Sequence, residues 1–197
     1  MERYFDVLRL AHDAVGRVLR DLAEARGDGL CAVDATVGNG HDTLFLAQAV
    51  GPRGRVYGFD VQERAIKATQ NCCGEAGVGD RVTLLHAGHE RMAELLPDDV
   101  TAAAVMFNLG YLPGADKSVV TQPATTIAAL DAALSLLAPG GVISITAYTA
   151  HPGGSEETEA VRHWCAGLNH PLFKAMEYGM ANCPEAKRLF LVGRFHG

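Results

Sequence analysis

Five times along this chain a short apolar run is followed by a segment with helical spacing, and that alternation restricts the fold more than any other feature. The runs cover residues 30–35, 55–60, 82–86, 102–107 and 142–148. They are too short for buried helices and too evenly apolar for strands with one wet face. They read as strands of a parallel sheet, with helices over residues 42–50, 63–76, 89–96 and from about 127 to Pro139 covering both of its faces. A leading helix is expected over residues 4–25, with Leu8, Ala11, Val15, Val18, Leu19 and Leu22 at helical spacing. After residue 150 the texture changes. A His151-Pro-Gly-Gly154 loop precedes a helix over residues 156–168 and two strands over 173–178 and 189–195, which can pair as a hairpin at the sheet edge. The expected architecture is one doubly wound α/β domain over residues 1–197, with no linker or repeat.

Composition narrows the function classes. The 197 residues are 48% hydrophobic and 20% charged, which suits a packed domain and not a disordered chain. A formal charge of -6 argues against non-specific coating of nucleic acid or anionic membrane, though it permits a local basic patch. The five cysteines form no C-x-x-C pair, so neither a disulfide framework nor a zinc site is expected. No secretory leader and no membrane span are expected either, which places the chain in the cytoplasm.

In an open α/β sheet, ligands bind beyond the carboxyl ends of the strands, at the point where strand order reverses. Two features meet there. Asp34-Ala-Thr-Val-Gly-Asn-Gly40 joins the first strand to its helix, and Asp60 closes the second strand 20 residues after Gly40. Glycines let a backbone pass close to a ligand, and an acid in the second position can accept hydrogen bonds from both ribose hydroxyls. Either feature alone is ordinary, and a tight strand-to-helix turn would explain the loop. Together they form a nucleoside site. A dinucleotide loop needs a third small residue, but Thr43 stands there. A carboxylate at Asp34 is awkward beside a pyrophosphate and suits a cationic ligand. These residues favour S-adenosylmethionine (SAM) over NAD. His41 and Asp42 open the following helix, where capping and dipole matching are a competing explanation.

With these residues in view, the chain resembles the rRNA methylase family of class I SAM-dependent methyltransferases. The resemblance rests on Asp34-Ala-Thr-Val-Gly-Asn-Gly-His-Asp-Thr43, Gly58-Phe-Asp-Val-Gln62, Phe107-Asn-Leu-Gly-Tyr-Leu-Pro-Gly-Ala-Asp-Lys117, and Tyr148-Thr-Ala-His-Pro-Gly-Gly154 followed by Glu156 and Glu157. It implies a mostly parallel seven-stranded sheet with an antiparallel edge strand, SAM as methyl donor and S-adenosylhomocysteine (SAH) as product. It also implies an RNA acceptor, namely tRNA at its anticodon region. The candidate cofactor set is Asp34, Thr36, Gly38, Asn39, Gly40, His41, Asp42, Asp60, Gln62, His89, Asn108 and Leu109.

Methyl transfer from a sulfonium needs the acceptor within about 3–3.5 Å of the methyl, in line with the bond that breaks. Asn108, Tyr148 and His151 are the candidate catalytic residues: an amide to orient an acceptor nitrogen, a hydroxyl and a base. Gly110, Tyr111, Leu112 and Lys117 are the candidate substrate contacts, with Tyr111 able to stack on a base and Lys117 to meet a phosphate. Packing at the core edge would also explain Tyr111 and Tyr148, and a backbone bond would explain His151. Arg3, Arg9, Arg17, Arg20, Lys187 and Arg188 are further cations that either contact phosphates or lie on a solvated face. A small-molecule methyltransferase, an NAD-dependent oxidoreductase and a silent binding module on the same fold remain alternatives. A homodimer is the base-rate assembly.

Overall fold

The computed structural model describes residues 6–27, 29–111 and 120–195. Leu112, Lys117 and Arg3 therefore lie outside the described residues. The elements follow in the order α1 (Val7–Arg26), β1 (Cys31–Asp34), α2 (His41–Ala49), β2 (Arg55–Asp60), α3 (Glu63–Glu75), β3 (Val82–His86), α4 (Met92–Leu95), β4 (Ala102–Leu109), α5 (Pro123–Leu136), β5 (Leu137–Ala147), α6 (Gly154–Ala166), β6 (Phe173–Tyr178) and β7 (Arg188–Arg194).

The strands form one sheet in the order β3-β2-β1-β4-β5-β7-β6. The first five run parallel, while β7 runs antiparallel to both β5 and β6, so the last two strands close the edge as an antiparallel pair. Strand order reverses between β1 and β4, as the sequence pattern requires for a doubly wound sheet.

Both faces are covered, which explains why the strands read as continuous apolar runs. Along each strand the side chains alternate between two cores. Val33, Phe59, Val105, Phe107, Ile143, Ile145 and Phe190 pack under α4, α5 and α6. Ala32, Val56, Ala104, Met106, Val142 and Leu189 pack under α1, α2 and α3. Helix α1 begins where the Asp6 side chain accepts from the Leu8 amide at 3.1 Å, and ends at Gly27 with φ 82°. Its buried residues Ala11, Val15, Leu19 and Leu22 lie on one face, as the spacing predicts.

Two boundaries differ from the sequence expectation. The last helix before β5 stops at Leu136, and Leu137 already pairs with Ala102 as the start of β5. A register shift between Ala102 and Ala104 absorbs the Pro139-Gly-Gly141 stretch within the strand. The residue before a proline disfavours the helical region, so the chain turns extended earlier than the apolar spacing suggests. Strand β4 runs two residues past Phe107, so Asn108 and Leu109 lie on the strand, opposite Thr146 and Ala147.

Gly58 shows how tightly the first two strands are tied to the loop between them. A Cβ on Gly58 would sit 2.5 Å from Val37 Cγ1 and 2.8 Å from Leu84 Cδ2. Gly58→Ala is expected to lower stability by about 1–3 kcal/mol, the usual cost of overpacking. Urea unfolding checks this; an unchanged midpoint would mean that Val37 yields freely.

Candidate cofactor and acceptor site

The loop after β1 is held from three sides. Asp34 is 0% exposed, and its carboxylate accepts from the Thr36 amide at 3.1 Å and from Thr43 Oγ1 at 2.6 Å. From β2, Asp60 accepts from the Gly38 amide at 3.1 Å and from the Gln62 amide at 2.9 Å. From α3, Thr69 Oγ1 donates to the Gly38 carbonyl at 3.2 Å. Gly40 has φ 87°, and a Cβ there would meet Thr69 Cα at 3.0 Å, so only glycine lets the loop lie this close to α3.

The Asp34 side chain is enclosed, and each of its oxygens accepts one hydrogen bond from the loop, so in this arrangement it shapes the loop. Burial, and next the nearby Asp42, push its carboxyl up to about 7, against the lowering effect of the Thr43 and Thr36 bonds. A carboxyl held above its unfolded value of roughly 4 binds more protons folded than unfolded. Its stabilising contribution is complete below roughly pH 4 and is lost as pH rises through about 7. The melting temperature of the free protein is thus expected to fall relative to that of Asp34→Asn across this window. Parallel melting curves for the two proteins would contradict the assignment.

Asp60 is half-buried, and each carboxylate oxygen accepts one backbone N–H, leaving further lone pairs for hydroxyl donors. Asn39 and His41 are exposed on the loop rim, and Gln62 is half-buried beside Asp60. His89 is 7% exposed, its Nδ1 lies 3.2 Å from the Ala35 carbonyl, and its ring meets Phe107 edge-on. Burial pushes its pKa down, so the ring is neutral and braces the end of β1. Leu109 points into the core, which leaves only its backbone at the site.

Asn108 joins the loop to the acceptor side. Its amide nitrogen donates to Thr36 Oγ1 at 2.7 Å, and its side-chain Nδ2 donates to Asp42. Its Oδ1 is buried with no partner among the described residues. Asp42, whose side chain is 12% exposed, also accepts from His12 Nε2 at 2.6 Å. Its carboxylate is thus engaged by two side chains, and the helix-capping explanation does not apply.

Beyond Asn108 the chain crosses the end of the sheet. Gly110 has φ 148°, and its amide donates to Thr121 Oγ1 at 2.9 Å. Thr121 Oγ1 in turn donates to Glu157 at 2.7 Å, and Thr126 Oγ1 donates to the other oxygen of Glu157 at 2.6 Å. Glu157 is 2% exposed. The sequence places it in the first turn of a helix, where an acid passes for a dipole match. Through Thr121 it ties the end of β4 to the start of α5, and nearby Tyr111 and Val120 form an antiparallel bridge.

A cleft of about 460 Å³ opens beside these residues, between the start of α1, the loop after β5 and the loop before β7. Tyr111, Tyr148, His151, Met180 and Lys187 are among its lining residues. Burial, and next Asp42, hold the Tyr148 hydroxyl above its ordinary pKa, so it stays protonated. Lys187 lies 4.6 Å above the Tyr148 ring. His151 Nδ1 is 2.9 Å from the Pro152 carbonyl, an acceptor only, so that nitrogen carries the proton. Its Nε2 is buried and has no partner among the described residues. The structure brings Tyr111, Tyr148 and His151 to one cleft, while Asn108 is tied to Asp42 and to the loop after β1. Among the described residues, Lys187 is the predicted cation that lines the cleft.

A family model described as "Putative rRNA methylase" matches residues 56–193. The chain belongs to this family. A curated relative from Arabidopsis thaliana, the chloroplastic tRNA (mnm(5)s(2)U34)-methyltransferase, is 39% identical over 181 residues. The match covers 87% of this chain and 65% of that relative, so the chain spans just under two thirds of its length. A "putative rRNA-methylase" from Clostridium thermocellum superposes with a TM-score of 0.89 at 38% identity, covering 96% of this chain and 98% of that one. A "putative methyltransferase" from Streptococcus mutans, solved in complex with SAH, superposes with a TM-score of 0.83 at 34% identity and the same coverage. The class I methyltransferase fold implied by the sequence is therefore the fold of this rRNA methylase family member.

Sequence reasoning missed His12, Thr43, Thr69, Thr121 and the enclosed position of Glu157. Only His12 carried a usable signal. It shares a helical face with Leu8, Val15 and Leu19, so a polar ring there must find a partner.

Proposed function

We propose that this chain is a SAM-dependent methyltransferase acting on RNA, and that it N-methylates the 5-aminomethyl group of the wobble uridine of tRNA. The observation that carries this reading is the buried, unpartnered Oδ1 of Asn108. Because Asp42 only accepts, the NH₂ end of the Asn108 amide must face it, which leaves the carbonyl end to accept from another donor. A primary amine has N–H groups to offer that oxygen and a lone pair to spare. The Arabidopsis relative's name and the SAH complex of the Streptococcus relative support the same chemistry.

The residues present fit the cofactor. Gly40 lets the loop lie close against α3 in the shape Asp60 also holds, and Asp60 retains acceptor capacity for ribose hydroxyls. When bound, SAM supplies a methyl on a positively charged sulfur. Asp60 would hold the ribose hydroxyls, and the Asp34-shaped loop would hold the rest of the nucleoside. Asn108 Oδ1 accepts one N–H of the acceptor amine and so aims its lone pair. The amine must be neutral to attack, and His151 Nε2 is the group able to take its surplus proton. Tyr111 and Tyr148 wall the cleft and exclude water, with Tyr111 a platform for the base. Lys187 faces the backbone of the RNA.

Purified protein, SAM and tRNA bearing the unmethylated aminomethyl uridine are expected to yield the methylaminomethyl nucleoside by mass spectrometry. Unchanged tRNA, with free amines methylated instead, would replace the RNA acceptor by a small molecule.

A further inference from the structure

We propose that His12 is a positioning residue for methyl transfer, acting through Asp42 on the carboxamide of Asn108. The assignment rests on the amine-acceptor reading of Asn108. Three elements converge to make the link: α1 supplies His12, α2 supplies Asp42 and β4 supplies Asn108. His12 stacks face to face on Phe45, with ring centroids 4.1 Å apart and planes 3° apart. That stacking leaves its Nε2 aimed along the ring plane at Asp42 Oδ1, 2.6 Å away. A carboxylate cannot donate, so Nε2 carries the proton and donates.

The consequence follows from the two ends of an amide. Asn108 can present either NH₂ or oxygen to the acceptor, and the two orientations fill nearly the same space. Asp42 decides between them, because a carboxylate facing Oδ1 would be repelled. Asp42 itself can rotate unless its other oxygen is held, and His12 is the group that holds it. The side chain of His12 is one third exposed, at 33%, so burial does not account for a histidine here. A helix outside the strand–helix alternation thereby reaches the acceptor atom without touching it.

His12→Phe keeps a ring stacked on Phe45 and removes the donor. His12→Gln places an amide N–H near the position of Nε2. In the Phe variant kcat on tRNA is expected to fall roughly 10- to 100-fold, with KM and SAH affinity within about threefold of wild type. The Gln variant is expected to recover most of the rate. A second readout needs no acceptor: the side-chain amide NMR signals of Asn108, identified by their loss in Asn108→Ala, should move in His12→Phe and return in His12→Gln. Wild-type kcat and unmoved amide signals in His12→Phe would overturn the proposal. So would a folded, SAH-binding His12→Gln that restores neither. If wild-type protein fails to methylate tRNA, the amide signals still decide whether His12 sets the Asn108 orientation.

Discussion

Asn108→Ala is expected to lower the methylation rate by roughly 10²- to 10³-fold, the range seen when one group aligned with the reacting atoms is removed. SAH affinity should change by no more than about threefold, because the side chain's contacts are with Asp42 and the acceptor side, while the link to the loop uses the backbone amide. The separation of these two effects is the informative part. A variant that loses cofactor affinity in step with rate would place Asn108 in the nucleoside site instead. Steady-state kinetics and calorimetry on the same preparation decide the matter. Asn108→Asp is a harsher companion, since it sets a second carboxylate against Asp42.

Asp60→Ala is expected to act on the other half of the site and to weaken SAH binding by roughly 10²- to 10⁴-fold. Two hydrogen bonds to a charged acceptor contribute about 1.5–3 kcal/mol each, and both ribose hydroxyls would lose theirs. The substitution also frees the Gly38 amide, so the loop loses one of its three restraints. Asp60→Asn separates these contributions. It keeps an oxygen for one backbone N–H but cannot accept at both ends. An SAH affinity in Asp60→Ala within tenfold of wild type would place the ribose elsewhere.

The parts of the fold legible in the sequence are those that physical chemistry makes local. Residues 55–60, 82–86 and 173–178 carry strands where expected, because each is a short run bounded by turn residues and lacks the length and spacing of a helix. Asp34 and Asp60 were visible as strand-closing acids, and the spacing of Asp60 from the glycine loop pointed to the right end of the sheet. The start of β5 was not visible. Leu137-Ala-Pro-Gly-Gly141 has the composition of a helix end followed by a turn, and only pairing with Ala102 makes it strand. The charge of Asp34 marks it in the sequence, while its enclosure and two loop bonds depend on Thr43 and Thr36, which carry no charge signal. The His12–Asp42 and Thr121–Glu157 pairs span 30 and 36 residues, and spacing rules do not reach across such intervals.

Strand β7 lies between β5 and β6, with Arg188 opposite Ala147. The nucleoside grip thus comes from residues before 110, and one wall of the acceptor cleft from the loop that leads into β7. Without that loop and strand, β5 would be a bare sheet margin and Tyr148 would lack its lysine neighbour. Donor grip and acceptor wall are therefore encoded in separate stretches of the chain, and either can be altered with the other left standing.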